Sequence, residues 1–129
     1  MIVDTSALVA VVKGEPEAAT FLARLHVEPR VRLSAVTAFE FGMVVDSWND
    51  AQSSKDADAL LMAIEAEVVT ADADTAQIAR AAYRQFGKKN HPARLNFGDC
   101  FAYALAKQSG EPLLFKGDDF SQTDIVSAT

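Results

Sequence analysis

Cysteine is nearly absent from this sequence, because Cys100 is the only cysteine among 129 residues. An internal disulfide is therefore excluded, and a single free thiol is typical of proteins from a reducing compartment. A chain of this length buries about two-thirds of the surface that its unfolded form exposes, so it needs neither a disulfide nor a structural metal to fold. We expect a single domain, residues 1–129, located in the cytoplasm.

Long apolar runs are missing as well. No stretch reaches the roughly 18 apolar residues that suggest a membrane-spanning helix, and the start at Met1 lacks the basic region of a secretory leader. Basic residues are outnumbered, with 12 Lys and Arg against 18 Asp and Glu and a net charge of −6. This balance argues against a broad nucleic-acid-binding surface, so the distribution of charge matters more than its sum. We expect no membrane contact.

Short apolar segments alternate with segments of helical pattern along the whole chain. The predicted strands cover residues 1–3, 31–33, 68–70, 113–115 and 124–126. Strands that alternate with helices form a parallel sheet with helices on both faces. The sequence therefore predicts an α/β fold, and in such folds ligands bind beyond the carboxyl ends of the strands.

Capping residues predict where three of the helices begin. Thr5 or Ser6 can cap the helix that follows the first strand. Thr37 and Glu40 have the spacing of a capping box, and Asn96 is expected to cap the helix that starts at the next residue. These caps would place Glu40 in the first turn of its helix, close to the end of a strand.

Acidic side chains lie just after predicted strands or in the first turns of predicted helices. The set consists of Asp4, Glu40, Asp99, Asp118 and Asp119. Because the carboxyl ends of parallel strands and the starts of the following helices share one edge of the sheet, we expect these carboxylates to converge there.

Converging carboxylates repel one another, so a site of this kind takes up a cation or protons. Oxygen ligands suit Mg²⁺ or Mn²⁺. Such an ion polarises a phosphoryl oxygen and lowers the pKa of a bound water molecule. The acidic set therefore predicts metal-dependent hydrolysis of a phosphodiester.

Each acidic candidate also has a purely structural interpretation. Asp4 can simply end a strand, although burying its charge is costly unless the charge is matched. Glu40 can complete a capping box, and Asp99 can complement the dipole of its helix, which is worth about 0.3–1 kcal/mol. Asp118 and Asp119 can be plain turn formers, and we expect at least one of them to be functional.

Several other polar residues are weaker candidates. Thr5 and Ser6 can hold a metal-bound water molecule, but helix capping explains them equally well. The stretch 84–94 is basic and contains no acidic residue. Its lysines and arginines are candidates for RNA contact or simply a solvated surface, and the RNA candidates are Lys88, Lys89 and Arg94.

Four segments resemble the PIN-domain proteins, and among these the VapC toxins of prokaryotic toxin–antitoxin pairs. The segments are MIVDTSALVA at 1–10, SAVTAFE at 34–40, LNFGDCFAYALAK at 95–107 and LLFKGDDF at 113–120. The resemblance covers essentially the whole chain. The first and third of these segments are fairly specific together, and neither would suffice alone.

The resemblance implies an endoribonuclease of PIN fold that leaves 5′-phosphate and 3′-hydroxyl ends. It places the metal ligands, for Mg²⁺ or Mn²⁺, at Asp4 and Asp99 and a supporting acidic role at Glu40. The family's fourth acidic residue usually stands directly before the phenylalanine of the last segment, which favours Asp119 over Asp118. Together these four acidic residues form the expected catalytic set.

The resemblance also implies partners. They are a structured RNA substrate such as transfer RNA, a cognate VapB-type antitoxin and a second copy of the chain. Support for a homodimer comes from apolar residues beyond the needs of a small core, namely Phe39, Phe41, Met43 and Trp48.

Two other functions remain open at this point. A phospho-acceptor module of receiver type is also a small α/β domain with acidic strand ends, and it carries a lysine near the last strand, here Lys116. The sequence lacks the acidic pair after the first strand that such a module needs. The other alternative is a PIN-fold interaction domain that has lost its chemistry, which the presence of all four acidic positions disfavours.

Overall fold

Four short strands, all parallel, form the single sheet of this protein. The computed structural model describes every residue from 1 to 129. The strands are β1 (Ile2–Val3), β2 (Arg32–Ser34), β3 (Glu67–Val69) and β4 (Leu113–Leu114). The helices are α1 (Thr5–Lys13), α2 (Ala18–Val27), α3 (Ala35–Asp46), α4 (Ala51–Ala63), α5 (Ala73–Phe86) and α6 (Phe97–Ser109). The strand order is β3-β2-β1-β4, so the predicted α/β fold with a parallel sheet is confirmed.

Helices cover both faces of the sheet, and each face has its own apolar core. Neighbouring residues of a strand point to opposite faces, so Val3 and Leu114 join the core under α1 to α4. Ile2 and Leu113 join the core under α5 and α6. All four of these side chains are fully buried. Strands β1 and β4 are therefore held in fixed positions between two packed layers.

Two predicted helix caps are wrong in detail. The cap of α1 is Asp4 itself, whose side chain accepts a hydrogen bond from the backbone N–H of Ser6 at 3.0 Å. Helix α3 begins at Ala35 and is capped by Ser34, the last residue of β2. Thr37 is therefore inside the helix and fully buried, and its hydroxyl has no hydrogen-bond partner. Because the helix starts directly at the strand end, Glu40 lies in its second turn.

The cap predicted at Asn96 is confirmed. Its side chain accepts from the backbone N–H of Asp99 at 2.9 Å, and the Asp99 carboxylate accepts from the backbone N–H of Asn96 at 3.0 Å. The strand predicted at 124–126 does not form, because Asp124 is bound by Tyr103 and Lys107 of α6. Only an isolated bridge between Leu113 and Ser127 extends the sheet there.

The carboxyl-end edge of the sheet is where β1 passes into α1, β2 passes into α3 and β4 passes into the loop at Lys116. The start of α6 lies beside the same edge, since Gly98 of this helix contacts Glu40 of α3. Three helix N-termini and one strand end thus surround a single region. None of the helices is long and apolar enough to cross a membrane.

Candidate active site

Asp4 is the most deeply buried acidic residue, with a relative exposure of 2%. One oxygen, Oδ2, accepts hydrogen bonds from the backbone N–H of Ser6 at 3.0 Å and from its hydroxyl at 2.6 Å. The other oxygen, Oδ1, is buried without a partner. Burial is the main cause that raises the pKa of Asp4, and the charge of Glu40 adds to it against the opposing bonds from Ser6. An acceptor oxygen is thus left free at the end of β1.

Two hydroxyl groups hold the first two carboxylates in place. The hydroxyl of Ser6 also accepts a hydrogen bond from the backbone N–H of Lys116 at 3.0 Å, which ties Asp4 to the end of β4. The hydroxyl of Thr5 donates to Oε1 of Glu40 at 2.6 Å, which links α1 to α3. Both residues predicted to support the site therefore contact its carboxylates.

Asp99 is the second carboxylate of this region whose pKa is raised. Desolvation by burial raises its pKa from 3.8 to about 7, and the charges of Asp4, Asp119 and Glu40 raise it further against the hydrogen bond from Asn96. Groups that influence one another in this way lie close together. The structure therefore brings four of the predicted acidic residues into one site.

The structure separates Asp119 from Asp118 by their surroundings. Asp119 acts electrostatically on Asp99, and it lines a cleft of about 240 Å³ together with Lys88, Arg94 and Asn96. Both aspartates are exposed, and the backbone carbonyl of Asp118 accepts a hydrogen bond from Ser121. Only Asp119 therefore shares the electrostatic environment of the site.

A hard divalent cation fits these residues, although no three His, Cys, Asp or Glu side chains form a complete ligand set by themselves. Mg²⁺ usually takes one or two carboxylates and keeps several water molecules. The free Oδ1 of Asp4 is a buried oxygen that lacks a partner, and Asp99 is destabilised by neighbouring negative charge. A cation held by Asp4 and Asp99 would relieve both features.

The basic candidates separate into two groups. All three residues are exposed; Lys88 and Arg94 line the cleft beside Asp119, and Lys89 does not. The loop is closed by hydrogen bonds from Lys88 N–H to the Leu95 carbonyl at 3.0 Å and from Leu95 N–H to the Phe86 carbonyl at 2.9 Å. Lys88 and Arg94 thus lie next to Asp119, on a loop that these hydrogen bonds close.

Sequence reasoning missed two residues of this region. Asn96 was identified only as a helix cap, yet it also lines the cleft with Asp119. Gly98 was not identified at all, although it is buried against the Glu40 carboxylate. A glycine in the first turn of a helix is the one sequence feature that points to it, because glycine is a poor helix former.

We predict that Asp99→Asn stabilises the metal-free protein above neutral pH. Between about pH 4 and pH 7 the folded wild type keeps a proton that the unfolded chain has lost, so its stability falls as pH rises through this range. Asn keeps the acceptor for Asn96 but carries no charge. One pKa unit corresponds to about 1.4 kcal/mol of stability, and solvent screening at this half-buried site reduces the total effect of the raised pKa. We therefore expect Asp99→Asn to raise the free energy of unfolding by roughly 1–3 kcal/mol at pH 8, and we expect this difference to vanish near pH 4.

The measurement is thermal unfolding in EDTA at pH 4 and pH 8, with Asp118→Asn as the matched control. The control removes a charge that lies outside the site, so we expect no comparable change in stability. Added Mg²⁺ should stabilise the wild type more than Asp99→Asn, because binding to the folded state shifts the unfolding equilibrium. An Asp99→Asn protein that is no more stable than the wild type at pH 8 would remove Asp99 from the carboxylate cluster.

Comparison with known proteins agrees with this geometry. The PIN domain family profile matches residues 1–126. Ribonuclease VapC30 of Mycobacterium tuberculosis is 43% identical over 127 residues, which cover 98% of this chain and 97% of that protein. Ribonuclease VapC42 of the same organism is 46% identical over 129 residues, covering 99% of this chain and 98% of that protein.

Solved structures share the fold at lower identity. The crystal structure of VapC20 of M. tuberculosis, a sarcin–ricin-loop-cleaving toxin, has a TM-score of 0.78 at 20% identity and covers 97% of this chain and 95% of its own. VapBC2 from Rickettsia felis, bound to a DNA fragment from its promoter, has a TM-score of 0.74 at 13% identity, with coverage of 98% and 94%. By its profile match and its full-length relatives, the chain belongs to the PIN-domain family and, within that family, to the VapC ribonucleases.

Proposed function

We propose that this protein is a metal-dependent endoribonuclease toxin of VapC type that acts on cytoplasmic RNA. The observation that carries the proposal is the group of four acidic residues at the sheet edge, in which Asp99 has a pKa of about 7. The names of the full-length relatives support the same activity. The family match also decides against a receiver-type module, and the ammonium group of Lys116 is already bound by Glu15 and Glu17.

Asp4 and Asp99 are the residues that would hold Mg²⁺ or Mn²⁺ here. The ion supplies Lewis-acid activation of the phosphate and lowers the pKa of the attacking water. Glu40, which Thr5 holds by a 2.6 Å hydrogen bond, is placed to orient that water and accept its proton. Asp119, whose charge acts on Asp99, would support the same water. The family resemblance indicates that the 3′ oxygen is the leaving group, so that hydrolysis would leave a 5′-phosphate and a 3′-hydroxyl end.

We predict that RNA cleavage requires Mg²⁺ or Mn²⁺. Excess EDTA should abolish cleavage of 5′-labelled RNA, and readdition of either ion should restore it, because the carboxylates alone lack a positive charge to stabilise the transition state. Two probes are needed, total transfer RNA and a hairpin with the sarcin–ricin-loop sequence, since the VapC20 structure is named for cleavage of that loop. Asp4→Asn serves as the inactive control.

Two outcomes would contradict this mechanism. Cleavage that persists in EDTA and leaves cyclic phosphate ends would turn attention to His26 and His91. The imidazole of His91 already accepts a hydrogen bond from the Ala93 N–H at 3.0 Å and contacts Phe86 edge-on, which argues for a structural role. If neither RNA is cleaved with either ion at any enzyme concentration, the result would favour the inactive PIN-fold alternative.

Lys88 and Arg94 are proposed to bind RNA phosphates beside the site. They line the cleft that contains Asp119, so a bound backbone would pass directly from these cations to the carboxylates. A local basic surface also reconciles RNA binding with a net charge of −6. Lys89, which was predicted together with Lys88, lies outside the cleft and is a natural comparison.

We predict that Lys88→Glu with Arg94→Glu weakens RNA binding and flattens its salt dependence. Each phosphate contact that is lost should lower the slope of log K against log salt by roughly 0.7–0.9. The measurement is fluorescence anisotropy of labelled RNA in Ca²⁺-free, EDTA-containing buffer at several salt concentrations, where cleavage is suppressed. Lys89→Glu changes the net charge by the same amount per residue, and an equal effect per residue would assign the binding to overall charge instead of the cleft.

We also propose a homodimer and a cognate VapB-type antitoxin. A Klebsiella pneumoniae toxin–antitoxin complex shares the fold with a TM-score of 0.71 at 18% identity, as does the VapBC2 assembly. Phe39 and Met43 of α3 are 72% and 53% exposed, which leaves an apolar surface for a partner. Phe41 is buried and Trp48 packs against the core, so these two residues do not contribute to the surface as predicted.

We predict that Phe39→Glu with Met43→Glu converts the dimer to a monomer. Charges placed at an apolar interface lose hydration without gaining a partner. Sedimentation or light scattering at high concentration gives the mass, and thermal unfolding confirms that both proteins are folded. A wild type that is monomeric at every concentration would contradict the dimer.

A further inference from the structure

The Glu40 carboxylate lies directly against the backbone of Gly98, in the first turn of α6. A Cβ atom at position 98 would meet the carboxylate carbon and Oε1 of Glu40 at 2.5 Å, and it would meet Oε2 even more closely. Real Cβ contacts essentially never fall under 3.0 Å. On its other side the same carboxylate accepts the hydrogen bond from Thr5. Glu40 is therefore fixed between the starts of α1 and α6.

The backbone offers no other reason for glycine at this position. Only Gly14, Gly110 and Gly117 have positive φ angles among the glycines, so Gly98 has a conformation that any residue adopts. The three atoms nearest to a Cβ built at position 98 all belong to the Glu40 side chain. Glycine in a helix is less favourable than alanine by roughly 1 kcal/mol. The missing side chain thus serves the carboxylate and not the helix.

We propose that Gly98 is a positioning residue that sets where the Glu40 carboxylate lies in the site. Any side chain at position 98 would displace this carboxylate from its place beside Asp99. The displacement would break the hydrogen bond from Thr5, so it would offset part of the stability that a better helix former gains and would also act on the reaction. The inference rests on the proposed function insofar as it assigns Glu40 a part in catalysis.

The test is a double-mutant cycle of Gly98→Ala and Glu40→Ala, measured on the full chain. If Gly98 acts through Glu40, the two substitutions are not additive. In the wild-type background Gly98→Ala should lower kcat for the labelled RNA by roughly tenfold or more, with a smaller effect on KM, because misplacing a group by an ångström is costly. In the Glu40→Ala background the same substitution should cause no further loss.

Thermal unfolding in EDTA provides a readout that does not depend on activity. With Glu40 shortened to alanine, Gly98→Ala should raise Tm by roughly 2–5 °C, as expected for a better helix former without a clash. With Glu40 intact the gain should be smaller or absent. Gly42→Ala in α3 is the matched control, because a Cβ there meets nothing within 4 Å. The mass of the Gly42→Ala protein in solution is measured as well, because Gly42 lies beside Phe39 and Met43 of the proposed dimer surface.

The outcomes separate this inference from the proposed function. Full activity of Gly98→Ala together with unchanged activity of Glu40→Ala would remove Glu40 from the mechanism, and the Tm cycle would still decide whether the two residues are coupled. Equal Tm gains in both backgrounds would overturn the positioning role. A loss of kcat that is the same with and without Glu40 would overturn it as well.

Discussion

The burial of negative charge at the carboxyl end of the sheet is the constraint on which this site depends. Asp4 is held at the end of β1 with one oxygen bonded to Ser6 and the other without a partner. Desolvation is the main cause that raises the pKa of both Asp4 and Asp99; the charge of Glu40 adds to the rise at both, and the charge of Asp4 adds to it at Asp99. The fold tolerates this arrangement because two packed cores fix β1 from both faces.

The site is oriented by neutral groups rather than by cations. Thr5 and Ser6 donate hydroxyl hydrogen bonds to Glu40 and Asp4, and none of the ion pairs in the protein includes Asp4, Glu40, Asp99 or Asp119. A hydroxyl fixes the direction of a carboxylate without cancelling its charge. The negative potential needed to attract a divalent cation is thereby retained.

The basic residues near the site lie in two different places and differ in whether they are paired. Lys116 follows β4 at the same edge, but its ammonium group is bound by Glu15 and Glu17. Lys88 and Arg94 stay available in the cleft beside Asp119. The cleft thus combines one acidic and two basic side chains that form no ion pair with one another.

The sequence by itself determined the class of fold, the Asn96 cap and the set of acidic candidates, because strand alternation, capping and motif spacing are local properties. Tertiary structure decided the rest. It placed the cap of α3 at Ser34 instead of the predicted Thr37. As a result Thr37 is buried inside the helix, and Glu40 contacts Thr5 and Gly98. It also distinguished Asp119 from Asp118 and Lys88 from Lys89. The family resemblance already favoured Asp119, whereas nothing in the sequence separated Lys88 from Lys89, because which of two adjacent residues lines a cleft depends on the fold.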